Sequence, residues 1–470
     1  MPDCLVVSPP LSLTFPHEVP RHPPMQALYV AAVLEGAGAS LAVVDLYHRG
    51  AAFTAALAEE AGTEPPRLAL LVLNDYTRPL PPHSLALAAD AVRVRFPDSC
   101  VVAVGARSSA QARALLASIP ALDAASFGDA EPPALAAHQA LAAGDGLAEV
   151  AGLCWRDGEA LVENEPAQPV EDLDSLPFPA WHLVDWKFYS GAAHRHRFVP
   201  FFRVMAQRGC PYSCTFCGRD GMAQYGSVRT RSVESVVAEL CLLVERYGAR
   251  EIQFVETISI YAQGWMDAFC EALSASDLDL AWSCHVRANL VDPEQLKRMA
   301  AAGCWNVLFG VETGNEALLV DIDKQIDLQQ AKDTVRWARQ AGIETTASFM
   351  FGHPGETPER AEETIRFAID LDPDYAQFFT TKLHGAHRVD PAVGQLMAEW
   401  VYHPHDIYGP PLLPVAYRDL AQLEALQKRA YRRFYLRLHT VLRHLGRIRS
   451  WNAIKRLLLG GLSLLKITRT

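Results

Sequence analysis

Three thiols on one short segment carry the clearest chemistry in this 470-residue sequence. Cys210, Cys214 and Cys217 lie within Arg208-Gly209-Cys210-Pro211-Tyr212-Ser213-Cys214-Thr215-Phe216-Cys217. Iron–sulfur clusters are held by cysteine thiolates, and spacings of four and three residues let one loop wrap three corners of a cubic cluster. Three protein ligands leave one iron open, and an open position is what metal chemistry on a substrate requires. Two blander readings compete. A structural zinc wants four Cys or His ligands in closely spaced pairs, whereas the next cysteine, Cys241, falls in a helix-like stretch. Three inert buried thiols fit poorly on a loop rich in Gly, Pro and Ser.

The elements that must position this loop follow from patterning. From Phe198 to about Leu383, short β-rich runs alternate with longer helical stretches, as in strand–helix units around a parallel sheet. Phe202–Ala206, Glu251–Val255, Ala281–His285, Asn306–Val311, Thr345–Phe351 and Tyr375–Thr380 read as strands. They predict a partial barrel with functional loops at the carboxyl ends of its strands, and the cysteine loop follows the first. Upstream, Cys4–Val7, Ser40–Val44, Leu68–Leu73 and Cys100–Val104 read as strands, and Met25–Glu35, Ser84–Arg95 and Ala110–Ser118 as helices. Turns at Ser8-Pro9-Pro10, Asp45, Asn74-Asp75 and Gly105-Ala106 follow strand ends, where open α/β sheets bind ligands. For any one loop, merely turning the chain is the simpler reading.

A polar connector from about residue 150 to 195 carries Glu165-Pro166, Asp172-Leu173-Asp174 and Leu176-Pro177-Phe178-Pro179. It predicts an ordered linker rather than a sheet. From Tyr431 onward the chain has ten Lys or Arg and no Asp or Glu, with Arg432, Arg433, Arg437, Arg443, Arg447 and Arg449 set among Leu, Ile and Tyr. This basic amphipathic segment reads first as a helix packed on the barrel. Membrane-surface contact through Ile454–Ile467 is the alternative. The expected division is an α/β sheet domain at 1–148, a linker at 149–197, a partial (β/α)6 barrel at 198–390 and a basic helical region at 391–470.

Composition narrows the function. Half the residues are hydrophobic and 21% charged, enough for a sizeable core in two or three domains. A formal net charge of −11 argues against nucleic acid as the main partner. Ten cysteines are too few for a disulfide scaffold, which implies a reducing cytoplasm. The N-terminus lacks a signal-peptide pattern and no run of about eighteen apolar residues occurs, so neither secretion nor membrane spanning is expected.

The C-x3-C-x2-C loop after the first barrel strand resembles the radical SAM superfamily. In that family a [4Fe–4S] cluster binds S-adenosylmethionine (SAM) at its open iron and cleaves it to a 5′-deoxyadenosyl radical. The resemblance extends along the barrel through Ser283-Cys284-His285-Val286-Arg287, Met299-Ala300-Ala301-Ala302-Gly303-Cys304, Phe309-Gly310-Val311-Glu312-Thr313-Gly314 and Phe351-Gly352-His353-Pro354-Gly355-Glu356-Thr357. It implies Cys210, Cys214 and Cys217 as cluster ligands and Arg287 as a bidentate partner of the SAM carboxylate. It also implies Glu312 at the SAM ribose or amino group, the Phe349–Phe351 backbone near adenine, and Phe216 packed on that base.

Joined to this barrel, the N-terminal sheet is similar to the Rossmann-like cobalamin-binding domain of the B12-dependent radical SAM class. Val6-Val7-Ser8-Pro9-Pro10, Val43-Val44-Asp45, Val104-Gly105-Ala106-Arg107-Ser108-Ser109 and Phe127-Gly128-Asp129-Ala130-Glu131 carry that likeness, with Asp172-Leu173-Asp174-Ser175-Leu176-Pro177-Phe178-Pro179-Ala180-Trp181 in the connector. The implied cobalamin contacts are Pro9, Asn74, Gly105, Ala106, Arg107 and Gly128. Asp-x-His-x-x-Gly is absent, so no histidine is expected to reach cobalt from below. The class implies cobalamin-dependent C-methylation of a small molecule, with a reductase, flavodoxin or ferredoxin as electron donor. A B12-linked radical cyclase or oxidoreductase would share every motif. Glu256, Tyr261, His353, Lys382, His384 and His387 are pocket candidates by loop position alone.

Overall fold

The computed structural model describes residues 3–10, 22–47, 52–62, 64–73, 82–106, 108–189, 196–217, 228–255, 264–381, 413–446, 448, 454, 457–462 and 464–465. The chain divides into two compact units, one built chiefly on Met1–Tyr189 and the other chiefly on Ser190–Gly218, Thr230–Met397 and Pro410–Thr470.

In the first unit, β1 (Cys4–Ser8), α1 (Met25–Gly36), β2 (Leu41–Asp45), α2 (Phe53–Glu60), β3 (Leu68–Val72), α3 (Pro82–Arg95), β4 (Cys100–Ala106), α4 (Ser109–Ser118), β5 (Ala124–Phe127) and α5 (Glu131–Ala143) alternate. The strand order begins β2-β1-β3-β4-β5 and these pairings are parallel. The near-continuous apolar strands are explained by burial on both faces. Residues of α1 and α5 pack in the core on one face, and residues of α2, α3 and α4 in the core on the other. The order reverses direction between β1 and β3, which opens a crevice at their carboxyl ends.

The connector departs from the linker expectation. Its β6 (Leu153–Asp157) and β7 (Ala160–Glu163) extend the sheet antiparallel beyond β5. The edge has one solvated face, so these strands end in charged residues and lack the apolar run that marked the others. Three short 3-10 turns, Leu173–Ser175, Trp181–Leu183 and Trp186–Phe188, follow, and fully buried Trp181 anchors this stretch.

The second unit holds β8 (Phe201–Val204), α6 (Val233–Tyr247), β9 (Glu251–Phe254), α7 (Trp265–Ala275), β10 (Ala281–His285), α8 (Pro293–Ala301), β11 (Cys304–Glu312), α9 (Glu316–Asp321), α10 (Leu328–Ala341), β12 (Glu344–Phe351), α11 (Pro358–Leu371) and β13 (Tyr375–Thr380). Its strands form one parallel sheet in sequential order, the partial barrel that six consecutive βα units produce. Helix starts are set by local chemistry: Ser232, Asp292 and Thr357 accept from the first turns of α6, α8 and α11, and Asp327 forms a capping box with Gln330. Arg203, Gln253, Ser283 and Asn306 lie in register across β8 to β11 and are buried, a polar layer on the face opposite the aromatic contacts of Phe254 with α7. Arg203 donates to Gln253 at 3.1 Å, and Asn306 donates to Thr346 at 3.2 Å.

Further along, the described residues include α12 (Leu420–Tyr435) and α13 (Leu438–Gly446). The β13 amides of Ala376 and Phe378 donate to the hydroxyls of Tyr435 and Tyr431, and the Phe378 carbonyl accepts from Gln427. The side chains of α12 thereby satisfy the open edge of the sheet.

Candidate active site

The loop after β8 is anchored on the turn after α9. The Thr215 amide donates to the Ile322 carbonyl at 3.0 Å, and Ser213 Oγ donates to Asp323 at 2.7 Å. Hydrogen bonds from Gln325 and then Ser213 hold the Asp323 carboxyl below its usual range. Cys214 is buried, and Cys210 and Cys217 are half-buried. The Cys217 amide donates to the Cys214 carbonyl, which curls the loop between the second and third thiols. Among the described residues, no three Cys, His, Asp or Glu side chains already converge on a metal-sized point.

Arg287, two residues past β10, reaches this loop. Its guanidinium carbon stacks 3.6 Å from the centre of the Tyr212 ring. Its Nη1 lies 3.9 Å from Cys214 Sγ and its Nε donates to Asn289 at 3.0 Å. Arg287 is buried, yet its Nη2 has no hydrogen-bond partner. An unpaired buried donor beside a thiol is costly unless something anionic completes it.

Glu312 ends β11 with φ 71°, a left-handed conformation uncommon outside Gly, Asn and Asp. It is buried and accepts from Lys324 Nζ at 2.6 Å, with both side chains more than nine-tenths buried. A Cβ on Gly310 would lie 1.9 Å from Glu312 Oε1, so the glycine leaves the space this carboxylate occupies. Lys324 Nζ also sits 5.5 Å from the centre of the Phe216 ring.

Phe216 packs on Leu319, Ile322 and Ile326 and meets the His353 ring edge-on at 5.5 Å. His353 is fully buried. Burial, with nearby Lys324 adding to it, pushes its pKa down to about 3, so it is neutral at pH 7. Its Nδ1 pairs with Thr381 Oγ1 at 3.3 Å, while Nε2 has no partner. Behind it Glu356 accepts from the Gly352 amide at 2.8 Å and from the Tyr417 hydroxyl. Burial raises the Glu356 pKa to about 7 against those bonds, and desolvation raises that of Tyr417.

Cys210, Cys214, Cys217, Phe216, Arg287 and Glu312 therefore come from the carboxyl-end side of one sheet. Phe351 ends β12, but its ring is fully buried and stacks on Phe378 at 5.9 Å, and its carbonyl accepts from the Thr381 amide. Glu256, Tyr261, Lys382, His384 and His387 lie outside the described residues. Sequence reasoning missed Lys324 and Tyr417 as partners of the site, since no local signal marks them, and Tyr212, although it sits inside the cysteine loop. In the first unit, Pro9 follows β1, Gly105 and Ala106 end β4, and Gly128 follows β5, all at carboxyl ends of parallel strands. Gly105 and Gly128 take φ 90° and 98°, and the Gly128 amide donates to the Ala106 carbonyl at 3.1 Å. Asn74 and Arg107 lie outside the described residues.

The residues present fit a three-thiolate cluster: a soft-donor set on one anchored loop, with a buried, incompletely paired cation beside it. Residues 204–368 match the radical SAM superfamily. An uncharacterized methyltransferase of Pyrococcus horikoshii is 33% identical over 326 residues, 68% of this chain and 68% of that one. The chain belongs to the radical SAM superfamily. This radical SAM enzyme is also 27% identical over 368 residues to the anaerobic magnesium-protoporphyrin IX monomethyl ester cyclase of Cereibacter sphaeroides, covering 75% of this chain and 58% of the cyclase. Its fold matches that of the radical S-adenosylmethionine methyltransferase TsrM from Kitasatospora setae, solved with cobalamin and a [4Fe–4S] cluster bound. That match has a TM-score of 0.65 and 18% identity and covers 81% of this chain and 73% of TsrM.

Proposed function

We propose that this radical SAM enzyme holds a [4Fe–4S] cluster on Cys210, Cys214 and Cys217, binds SAM beside it, carries cobalamin on the N-terminal sheet and methylates an unactivated carbon of a small molecule. The observation that carries the reading is buried Arg287, stacked on Tyr212 beside Cys214 with Nη2 left to donate. When bound, the cluster and SAM supply a 5′-deoxyadenosyl radical that takes hydrogen from the substrate, and cobalamin supplies the methyl group.

The chain's own residues bind and orient. Arg287 offers its fixed fork to the SAM carboxylate, and Glu312, steered by Lys324, accepts from the ribose or amino group. Phe216 presents an apolar wall for adenine, backed by a His353 that burial keeps neutral. On the N-terminal sheet, the positive-φ backbone at Gly105 and Gly128 has no Cβ to hold a flat macrocycle away. Pro9 and Ala106 border the same strand ends.

The test is an anaerobic assay of reconstituted protein with reductant and methyl-labelled SAM, with and without methylcobalamin. The reading expects co-purifying cobalamin, 5′-deoxyadenosine and S-adenosylhomocysteine. Label missing from every product, with 5′-deoxyadenosine formed, removes methyl transfer. The likeness to the magnesium-protoporphyrin cyclase favours as second reading a radical cyclisation, whose product would carry a new ring and no label.

A further inference from the structure

The last described helices present their faces in an unusual sense. A helix on a globular domain normally turns its apolar stripe to the core. In α13 the buried side is polar: Thr440 is fully buried, Arg443 Nη2 binds Asp372 at 2.6 Å and the His444 ring lies 5.2 Å from that of Tyr375. Arg437, just before the helix, binds the same Asp372 at 3.0 Å. The side facing away holds Leu438, Val441, Leu442 and Leu445, one full apolar stripe at positions i, i+3, i+4 and i+7. Leu438 is 73% exposed and Leu442 56%. Described residues among 454–465 are helical, and there Leu458 and Leu462, one turn apart, are again exposed.

Charge identifies the partner. From Tyr431 onward there are ten Lys or Arg and no Asp or Glu, in a chain of net charge −11. Arg433, Arg437 and Arg443 are ion-paired with Glu362 and Asp372, which leaves six Lys or Arg after Gly446 with no acid in the sequence. An exposed leucine stripe followed by so basic a stretch matches an anionic lipid surface, where apolar side chains enter the acyl boundary and cations meet headgroups. A second copy would set cations against cations, and nucleic acid would leave the leucines in water. Among the described residues no helix is long and apolar enough to cross a membrane, so the contact is with the surface. We propose that α13 and the helical residues after it adsorb this enzyme to anionic membrane surfaces.

The test is vesicle flotation of the full chain with phosphatidylcholine vesicles lacking or containing phosphatidylglycerol. The proposal expects binding at least roughly tenfold stronger to the anionic vesicles. The L438S/L442S/L445S variant keeps every charge and alters only exposed positions, and should lose binding by roughly tenfold while its circular dichroism is unchanged. Equal binding by the triple variant overturns the proposal, as does equal binding to neutral vesicles. A wild-type dimer that the variant converts to monomer reassigns the face to self-association. Tighter binding to an RNA oligonucleotide than to anionic vesicles reassigns it to nucleic acid.

Discussion

Arg287 lies flat on Tyr212 at 3.6 Å and brings Nη1 to 3.9 Å from Cys214 Sγ. One buried side chain thus touches the loop that bears the thiols and keeps a donor in reserve. Lysine is a point charge without the planar fork. Arg287→Lys should retain its iron, read by absorbance and chemical analysis, yet form 5′-deoxyadenosine at least about tenfold more slowly, the loss of a charged hydrogen bond worth about 1.5–3 kcal/mol. Full activity in the lysine variant would show that the fork is not used.

The proposed cluster ligands are three of the ten cysteines. Single Cys210→Ser, Cys214→Ser and Cys217→Ser substitutions should each abolish the about four irons per chain that reconstitution of one cubic cluster installs. Cys270→Ser and Cys304→Ser should not; burial pushes the Cys270 thiol up to about 12, away from ligand behaviour. Iron lost equally from both sets would point to general unfolding.

Lys324→Met strands Glu312 as a buried carboxylate. Breaking one side of such a pair costs about 3–5 kcal/mol, measurable by urea unfolding. Lys324→Met/Glu312→Gln should recover most of it, because the buried charge is gone. Additive losses in the double variant would mean that the two residues do not act as a pair.

Glu356 and His353 impose opposite pH dependences on stability. The raised Glu356 pKa of about 7 means the folded state holds a proton the unfolded chain releases; its contribution is full below the unfolded carboxyl value and fades as pH rises to about 7. The depressed His353 pKa of about 3 acts in the other sense: its contribution is full above about 6.5 and fades as pH falls toward 3. Glu356→Gln should flatten thermal stability between about pH 4.5 and 7, and His353→Gln should reduce loss in acid. Unchanged profiles would place both groups in wetter surroundings.

Gly310→Ala inserts a methyl 1.9 Å from Glu312 Oε1 and 2.9 Å from Lys324 Nζ. The carboxylate must leave its position, so SAM affinity by equilibrium dialysis should fall while iron content holds. Unchanged affinity would free Glu312 from any role at SAM.

The barrel was legible because its buried parallel strands are short, largely apolar runs, and most are followed by a helix among the described residues. Ala281–His285 and Tyr375–Thr380 coincide with their observed limits. Leu153–Asp157 and Ala160–Glu163 escaped because a solvated edge replaces the run with alternation and charge. In the site, Cys214, Phe216, Arg287 and Glu312 sit in local motifs that advertise themselves. Lys324, and Tyr417 against Glu356, meet their partners only through folding: twelve residues separate the first pair, sixty-one the second, and no periodicity encodes either meeting.

Asp372 ends α11 in the left-handed region and binds Arg339, Arg437 and Arg443. This carboxylate, with Asp374 beside it, ties α13 to the body of the barrel through ion pairs, whereas α12 is held by hydrogen bonds to the sheet edge, so electrolyte loosens α13 first. Raised ionic strength should expose the arginine-rich tail to trypsin while the barrel stays resistant, and a preparation trimmed in this way would still carry every residue assigned to SAM and the cluster.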